Sequence, residues 1–165
     1  MSDNPKLGLT TARQAVVAVL SGAIICGLIL LAFDAAGTFP PVVPWSVPIV
    51  LIALAIVAAV YSRILPKRVE ERQATAQESF AALGVGKAMI MMGAVLAGAH
   101  VVYVVRYMQV FDAPLPSQRV VQGSVTIVAA LLAAGAGALL ERACLVKGDD
   151  EDQDGGEAGL SSAAG

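Results

Sequence analysis

Four long apolar windows dominate the pattern of hydrophobic and polar positions along the chain. None contains Asp, Glu, Lys or Arg, and they cover Ala15–Phe33, Ala35–Ser62, Ala88–Val105 and Val120–Leu140. A helix that crosses a bilayer needs roughly 20 mainly apolar residues, because each adds about 1.5 Å across a hydrocarbon core about 30 Å thick. The pattern predicts an all-α membrane protein. Its four antiparallel transmembrane helices lie at about 14–33, 46–62, 83–105 and 120–141, within a membrane domain spanning residues 14–146.

The charged residues predict which way the helices run. Only 15% of the 165 residues are charged, and 57% are hydrophobic. Lysines and arginines in short loops favour the cytoplasmic side of a membrane. Eight fall on one side of the predicted bundle: Lys6, Arg13, Arg63, Lys67, Arg68, Arg72, Arg142 and Lys147. The other side has only Arg106 and Arg119. We therefore expect both termini, including the N-terminal segment 1–13, to be cytoplasmic in a multi-pass protein of the plasma membrane.

The C-terminal segment 147–165 differs in composition from the rest of the chain. It carries six acidic residues among Gly, Ser and Ala, and it has no aromatic residue. Such a composition cannot bury enough apolar surface to offset the entropy of ordering. The sequence predicts a disordered acidic cytoplasmic tail. A solubilising role is favoured over recruitment of a basic partner.

The first predicted hairpin contains the segment TFPPVVPWSVP, residues 38–48. Proline lacks an N–H donor and cannot continue a helix, so Pro40, Pro41 and Pro44 are expected to end the first hairpin arm. Trp45 suits the headgroup region, where one ring edge is apolar and the indole N–H stays wet. Tyr103 and Tyr107, towards the same side of the membrane, are predicted to be interface anchors as well.

Lys87 is the strongest candidate for a functional side chain. Three interpretations are open: a lysine extended towards cytoplasmic headgroups, an ion pair with Glu141, or a site for a lipid headgroup or substrate anion. The ion pair follows from antiparallel packing, because both residues lie at the cytoplasmic ends of their predicted helices. The segment GVGKAM is not a phosphate loop, since the GxxxxGK[ST] pattern would need glycine at Ala81 and Ser or Thr at Ala88.

His100, the only histidine, shares a helical stripe with Gly93 and Ala97. Small residues let helices approach closely in lipid, so we expect His100 to face another helix and form a hydrogen bond there. A proton relay is the alternative interpretation. It would need a second titratable group at similar depth, and no Asp or Glu lies in any of the four windows.

Small residues also recur in the first and fourth predicted helices. Ala129, Ala133 and Gly137 follow near-i,i+4 steps in the fourth, and Ala23 and Gly27 have the same spacing in the first. These stripes favour packing within a tight bundle over a dimer seam.

The remaining connections carry little chemistry. Residues 63–79 mix basic and acidic side chains after an expected helix break at Pro66, and an exposed connector is favoured over a short helix on the anionic leaflet. Cys26 and Cys144 fall at different depths and belong to no CxxC pair, which disfavours a disulfide and a metal site.

Several short motifs resemble one known family. TTARQ precedes the first helix, FPP and PW lie in the first hairpin, GKAMIMMGAVLAG is in the third helix and LLERACLV closes the fourth. Together they look like the actinobacterial domain-of-unknown-function 3180 family, over about residues 9 to 146. The resemblance implies a small four-helix membrane protein, often encoded beside folate-biosynthesis genes, and it implies no activity. Ala81 and Met89 stand where that family tends to have Arg and Ser.

The sequence therefore favours a small non-enzymatic membrane protein, either an accessory subunit or a scaffold. It offers no nucleophile–base pair, metal-ligand cluster, nucleotide loop or nucleic-acid-binding motif, and it predicts neither a catalytic residue nor a cofactor. The expected partners are the lipid bilayer and either another membrane protein or further copies of the chain. A small oligomeric transporter or channel is the alternative, and a membrane enzyme comes third.

Overall fold

The computed structural model is all-α and describes residues 9–38, 40–70, 76–108 and 114–145. Its helices are α1 (Ala12–Ala35), α2 (Ser46–Glu70), α3 (Ala76–Met108) and α4 (Pro114–Leu145). All four are long and apolar enough to cross a membrane. The prediction of an all-α fold with four apolar helices is confirmed. The predicted tail 147–165 and residues 1–8 of the N-terminal segment lie outside the described residues.

The helices pack in the spatial order α1–α3–α4–α2. Extensive contacts join α3 to α4, α1 to α3, and α2 to α4. Successive helices are antiparallel, so each flanking helix is parallel to the central helix that it contacts. Burial follows this order: in the most apolar stretch of each helix, 44% of positions are buried in α3 and α4, against 17% in α1 and 22% in α2.

The two central helices meet along a seam of small residues. A Cβ atom on Gly93 would lie 2.5 Å from the Ala130 carbonyl oxygen, and one on Gly137 would lie 2.7 Å from that of Gly86. The alanines of this seam are almost fully buried: Ala129 is 1% exposed and Ala130 and Ala133 are 0% exposed. Ala97, another residue expected to pack between helices, is 5% exposed in the same core. Backbones can approach this closely because no side chain separates them.

Helix α1 crosses α3 at a second close approach. A Cβ atom on Gly22 would lie 2.1 Å from the Val95 carbonyl oxygen, and one on Gly98 would lie 2.1 Å from that of Val19. Ala23 and Gly27 were the expected small pair of α1, but nothing lies within 4 Å of a Cβ on Gly27. The sequence spacing identifies small residues, whereas the partner helix decides which of them face the crossing.

The first hairpin arm ends before the prolines. Gly37 adopts the left-handed conformation at φ +66°, and its N–H donates to Asp34 O at 3.1 Å. The Thr38 N–H donates to Phe33 O, also at 3.1 Å. These two bonds form a Schellman motif, which satisfies carbonyls that the helix end leaves open. Glycine therefore ends α1, and Pro40 follows where the chain has already left the helix.

The predicted helix break at Pro66 is wrong. Helix α2 continues through Pro66 to Glu70. The proline removes one N–H donor from the last turns, but tertiary contacts hold this part of the helix. Leu65 is only 1% exposed, and Arg68 forms an ion pair with Glu78 of α3. Since α3 begins at Ala76, the connector expected at 63–79 is largely helical.

Candidate functional site

A buried carboxylate lies at the end of the bundle where α1 begins and α4 finishes. Glu141 is 2% exposed. The Thr10 N–H donates to its Oε1 at 2.7 Å, and the Thr10 hydroxyl donates to the same oxygen at 3.0 Å. Lys87 Nζ lies 3.9 Å from that oxygen. These three residues form what we call the Glu141 cluster.

Local structure brings the Glu141 cluster together. Thr11 caps α1 in a capping box with Gln14, so Thr10 stands immediately before the cap. The N-terminus of α1, which carries the positive end of the helix dipole, therefore faces the carboxylate. On the other side, a Cβ on Gly86 would lie 3.1 Å from the Glu141 backbone nitrogen. That close approach places the neighbouring Lys87 beside Glu141.

Charged hydrogen bonds stabilise Glu141 in its buried position. A carboxylate near the C-terminus of its own helix faces the negative end of the helix dipole. The Thr10 donors and the Lys87 ammonium offset that repulsion and the loss of hydration. The Lys87 side chain is 33% exposed. The Lys87 ammonium lies beside the Glu141 carboxylate, and part of the Lys87 side chain is exposed at the surface of the bundle, where lipid headgroups would lie.

Helices α2 and α3 meet at the same end through Glu78. The Tyr61 hydroxyl donates to Glu78 Oε1 at 2.5 Å, and Arg68 Nη1 donates to that oxygen at 2.9 Å. The side chains of Arg68 and Glu78 are 41% and 27% exposed. We call these three residues the Glu78 cluster. Both clusters lie at the end of the bundle that also carries Arg13, Arg63, Lys67 and Arg142, which we call the basic end.

The opposite end holds the first hairpin against α4. Gln122 is 4% exposed. With the Gln122 amide oriented so that its oxygen faces Trp45, this oxygen accepts from the Trp45 indole N–H at 2.8 Å. The amide nitrogen of Gln122 then donates to Val43 O at 3.1 Å. Trp45 remains 49% exposed. Its ring can therefore contact lipid while its N–H is bonded within the protein.

An aromatic pair at this opposite end joins α3 to α4. The rings of Tyr103 and Tyr107 lie 4.9 Å apart. Arg119 donates from Nη1 to the Tyr107 hydroxyl at 2.7 Å and also packs over the Tyr107 ring. Tyr103 is 7% exposed, and its hydroxyl has no hydrogen-bond partner among the described residues. The two tyrosines expected as interface anchors thus differ, since Tyr103 is buried in the bundle.

Arg106 and His100 make further polar contacts in the described bundle. Arg106 donates to Asp34 Oδ2 at 3.0 Å, which ties α3 to the end of α1 at the surface. His100 is half-buried, and its Nδ1 lies 2.8 Å from the Leu96 carbonyl oxygen on the preceding turn. The hydrogen bond lies within α3, whereas the sequence led us to expect one to a neighbouring helix.

No group of three His, Cys, Asp or Glu side chains could hold a metal ion within residues 9–38, 40–70, 76–108 and 114–145. Cys26 and Cys144 are free thiols. Several polar groups of the described bundle connect one helix to another. Their arrangement suits holding helices in register.

Comparison with protein families identifies the chain. Residues 15–147 match the family described as Protein of unknown function (DUF3180). The chain belongs to the DUF3180 family. No curated protein and no solved structure matches it. The matched region begins within the first turn of α1 and includes the other three helices, so it covers nearly all of the described bundle.

For this DUF3180 member, sequence reasoning located some polar groups and missed others. Lys87 and Glu141 were singled out because they lie at the same ends of neighbouring helices. Thr10 was missed because one of its two donors is a backbone N–H and because the capping box at Thr11 indicates only where α1 begins. Gln122 was not singled out as a functional residue. Its contact with Trp45 depends on α2 packing against α4, which no local pattern indicates.

Proposed function

We propose that this DUF3180 protein is a non-enzymatic scaffold or accessory subunit of the plasma membrane, with the basic end of the bundle in the cytoplasm. The closed seam between α3 and α4 is the observation that supports a scaffold most directly. Backbone atoms of the two helices approach at Gly86, Gly93 and Gly137, which leaves no space for a solute between them. The resemblance to an actinobacterial family and the lysine and arginine count support this location and orientation.

The distribution of polar groups also favours a scaffold. In the described part of the chain the buried polar side chains are Gln122, Thr126 and Glu141. Thr126 donates back to the Gln122 carbonyl oxygen on its own helix at 2.8 Å, and the other two lie towards opposite ends of α4. Transport of a polar solute needs polar groups along its path. The seam between α3 and α4 offers apolar side chains instead.

A small oligomeric transporter or channel is the second candidate. The flanking helices favour it, because α1 and α2 each pack mainly on one neighbour and expose apolar faces. A pathway would then form between copies of the chain. Such a pathway would be lined by α1 or α2, and the tight seam would serve only to hold each copy rigid.

Site-specific photo-cross-linking in native membranes tests the two functions. A photoreactive residue at Ile24 on α1, 63% exposed, or at Ile49 on α2, 62% exposed, samples the outer faces of the bundle. The buried position Ala130, 0% exposed, is the matched control. A scaffold predicts one dominant adduct with a different membrane protein from at least one exposed position. Adducts only between copies of the chain, together with solute flux in vesicles, would support the transporter instead.

Thiol labelling of intact cells tests the orientation. In a chain whose native cysteines are replaced by alanine, a Thr38→Cys reporter marks the hairpin and an Arg142→Cys reporter marks the basic end. We expect a membrane-impermeant maleimide to label the first and not the second until the cells are opened. Labelling of Arg142→Cys in intact cells would reverse the proposed orientation.

A further inference from the structure

An apolar groove separates α2 from α3 next to the basic end. Both helices pack on α4, and the Glu78 cluster joins them to each other only near their ends. Between that cluster and the middle of the bundle the groove has a volume of about 300 Å³. Its lining includes Leu54, Val57, Ala81, Val85, Met89 and Leu140.

The walls of this groove are open to the side. Val57 of α2 is 65% exposed and Val85 of α3 is 53% exposed. Its floor is buried, since Met89 is 7% exposed and Leu140 is 2% exposed. In a membrane such a groove opens towards the acyl chains of the lipids. Ala81 has a small side chain, so it leaves space in the groove that a larger side chain would fill.

The groove ends at a basic surface. Tyr61 and Glu78 of the Glu78 cluster contribute to its lining, and Arg68 of the same cluster keeps 41% of its side chain exposed. Lys67, the exposed residue next to Arg68 on α2, adds a second positive charge at this end. These two basic residues outnumber the one carboxylate of the Glu78 cluster. An apolar slot therefore leads directly to a site with net positive charge at headgroup depth.

We propose that the groove between α2 and α3 binds one acyl chain of an anionic phospholipid, with the lipid phosphate beside Lys67 and Arg68. This site goes beyond the scaffold role and does not depend on it. Charge supports this occupant over a zwitterionic lipid, because basic residues near the surface attract anionic headgroups. An acyl chain contacts the tails of other lipids in the bilayer as well as it contacts the apolar side chains of the groove. Selectivity must therefore come from the headgroup.

The shape of the groove suits an extended chain. A helix is at least about 10 Å across with its side chains. An extended hydrocarbon chain is thinner and can follow the groove along the helices.

Native mass spectrometry tests this site directly. The full chain is purified from vesicles of equal parts phosphatidylglycerol and phosphatidylcholine, and the lipids that remain bound are counted. We expect one phosphatidylglycerol to be retained preferentially. Lys67→Gln should lower that preference about fivefold, since one basic residue near the surface contributes about that factor. Arg13→Gln removes one charge at the same end on α1, away from the groove, and should leave the preference unchanged.

A filling variant separates the groove from the surface charge. Ala81→Leu adds three carbons inside the groove and should abolish retention of the lipid. Gly135→Leu is the matched control, because it fills the separate groove between α2 and α4 that Gly135 lines and should retain the lipid. Equal retention of the two lipids by the unchanged protein would overturn the proposal. So would equal loss in Lys67→Gln and Arg13→Gln, or in Ala81→Leu and Gly135→Leu.

Photo-cross-linking in the same vesicles provides a second readout that needs no filling variant. A photoreactive residue at Val57 faces the groove, whereas one at Val60, 52% exposed, lies outside the groove lining on the same helix. We expect Val57 adducts to be enriched in phosphatidylglycerol and Val60 adducts to match the vesicle composition. The same lipid ratio at both positions would contradict a specific site.

Discussion

Replacement of Gly98 by alanine should separate α1 from α3. The new Cβ would lie 2.1 Å from the Val19 carbonyl oxygen, 2.8 Å from its carbon and 3.0 Å from its Cα. All three are backbone atoms, so no side chain can rotate away. To reach the 3.4 Å of an ordinary contact, the helices must move apart by about 1.3 Å. A gap of 0.5–1 Å already forfeits about a quarter to a half of the attraction between packed atoms.

The expected loss of stability follows from this separation. Overpacking in well-packed cores lowers the free energy of unfolding by about 1–3 kcal/mol, and the clash at Gly98 involves backbone on both sides. We therefore expect a loss of about 3 kcal/mol, at the upper end of that range. Gly22→Ala should behave similarly, because its Cβ would lie 2.1 Å from the Val95 carbonyl oxygen.

Gly27 provides the matched control on α1. A Cβ at Gly27 meets nothing within 4 Å, so alanine there should leave the free energy of unfolding within about 0.5 kcal/mol of the original value or raise it slightly. Titration of the purified protein from mild detergent into sodium dodecyl sulfate, followed by circular dichroism and Trp45 fluorescence, measures both changes. If Gly98→Ala and Gly27→Ala are equally stable, α1 does not contact α3 at this crossing and the packing order described above is refuted.

Three further predictions concern the polar contacts at the two ends. Glu141→Ala should lower the free energy of unfolding in the same titration by about 2 kcal/mol, because it removes the acceptor of a charged hydrogen bond. Glu141→Gln should lower it by less than half of that amount. Equal losses in the two variants would show that hydrogen bonding to this residue is unimportant. Tyr103→Phe should be neutral or stabilising because its buried hydroxyl lacks a partner, whereas Tyr107→Phe should lose about 1 kcal/mol; the reverse order would contradict the contacts of both hydroxyls. Gln122→Leu should increase quenching of Trp45, the only tryptophan, by aqueous acrylamide, and unchanged quenching would show that the indole N–H is not held by the amide.

The apolar windows predict the helices well but not where they end. Charge-free stretches indicate the part of each helix that lipid can surround, because a charged group is costly there. Beyond the hydrocarbon core the same helices continue, since water and tertiary contacts can satisfy polar groups. Helix α2 is the clearest case: Pro66 and the charges after Ser62 suggested a break, while Leu65 and Arg68 hold the helix to its neighbours.

The order in which the helices pack is harder to predict than their positions. Small residues in α1 indicate that a close contact exists, yet Gly22 and Gly27 are equally plausible from spacing alone. The choice between them depends on the rotation of α1 against α3. The pairing of Thr10 with Glu141 and of Trp45 with Gln122 likewise depends on which helices are neighbours. Lys87 and Glu141 could be paired from the sequence alone, because they lie at the adjoining ends of two consecutive antiparallel helices.

The packing order has a consequence for biogenesis. Chains are made from the N-terminus, and each apolar segment can enter the bilayer as a helix before it associates with others. Here α1 and α2, which emerge from the ribosome before α3 and α4, make no extensive contact with each other. In the membrane, α1 stays unpaired until α3 has been translated, and α2 stays unpaired until α4 has been translated. A nascent chain arrested after α2 would therefore leave two unassembled helices, exposed to proteolytic quality control until synthesis of α3 and α4 is complete.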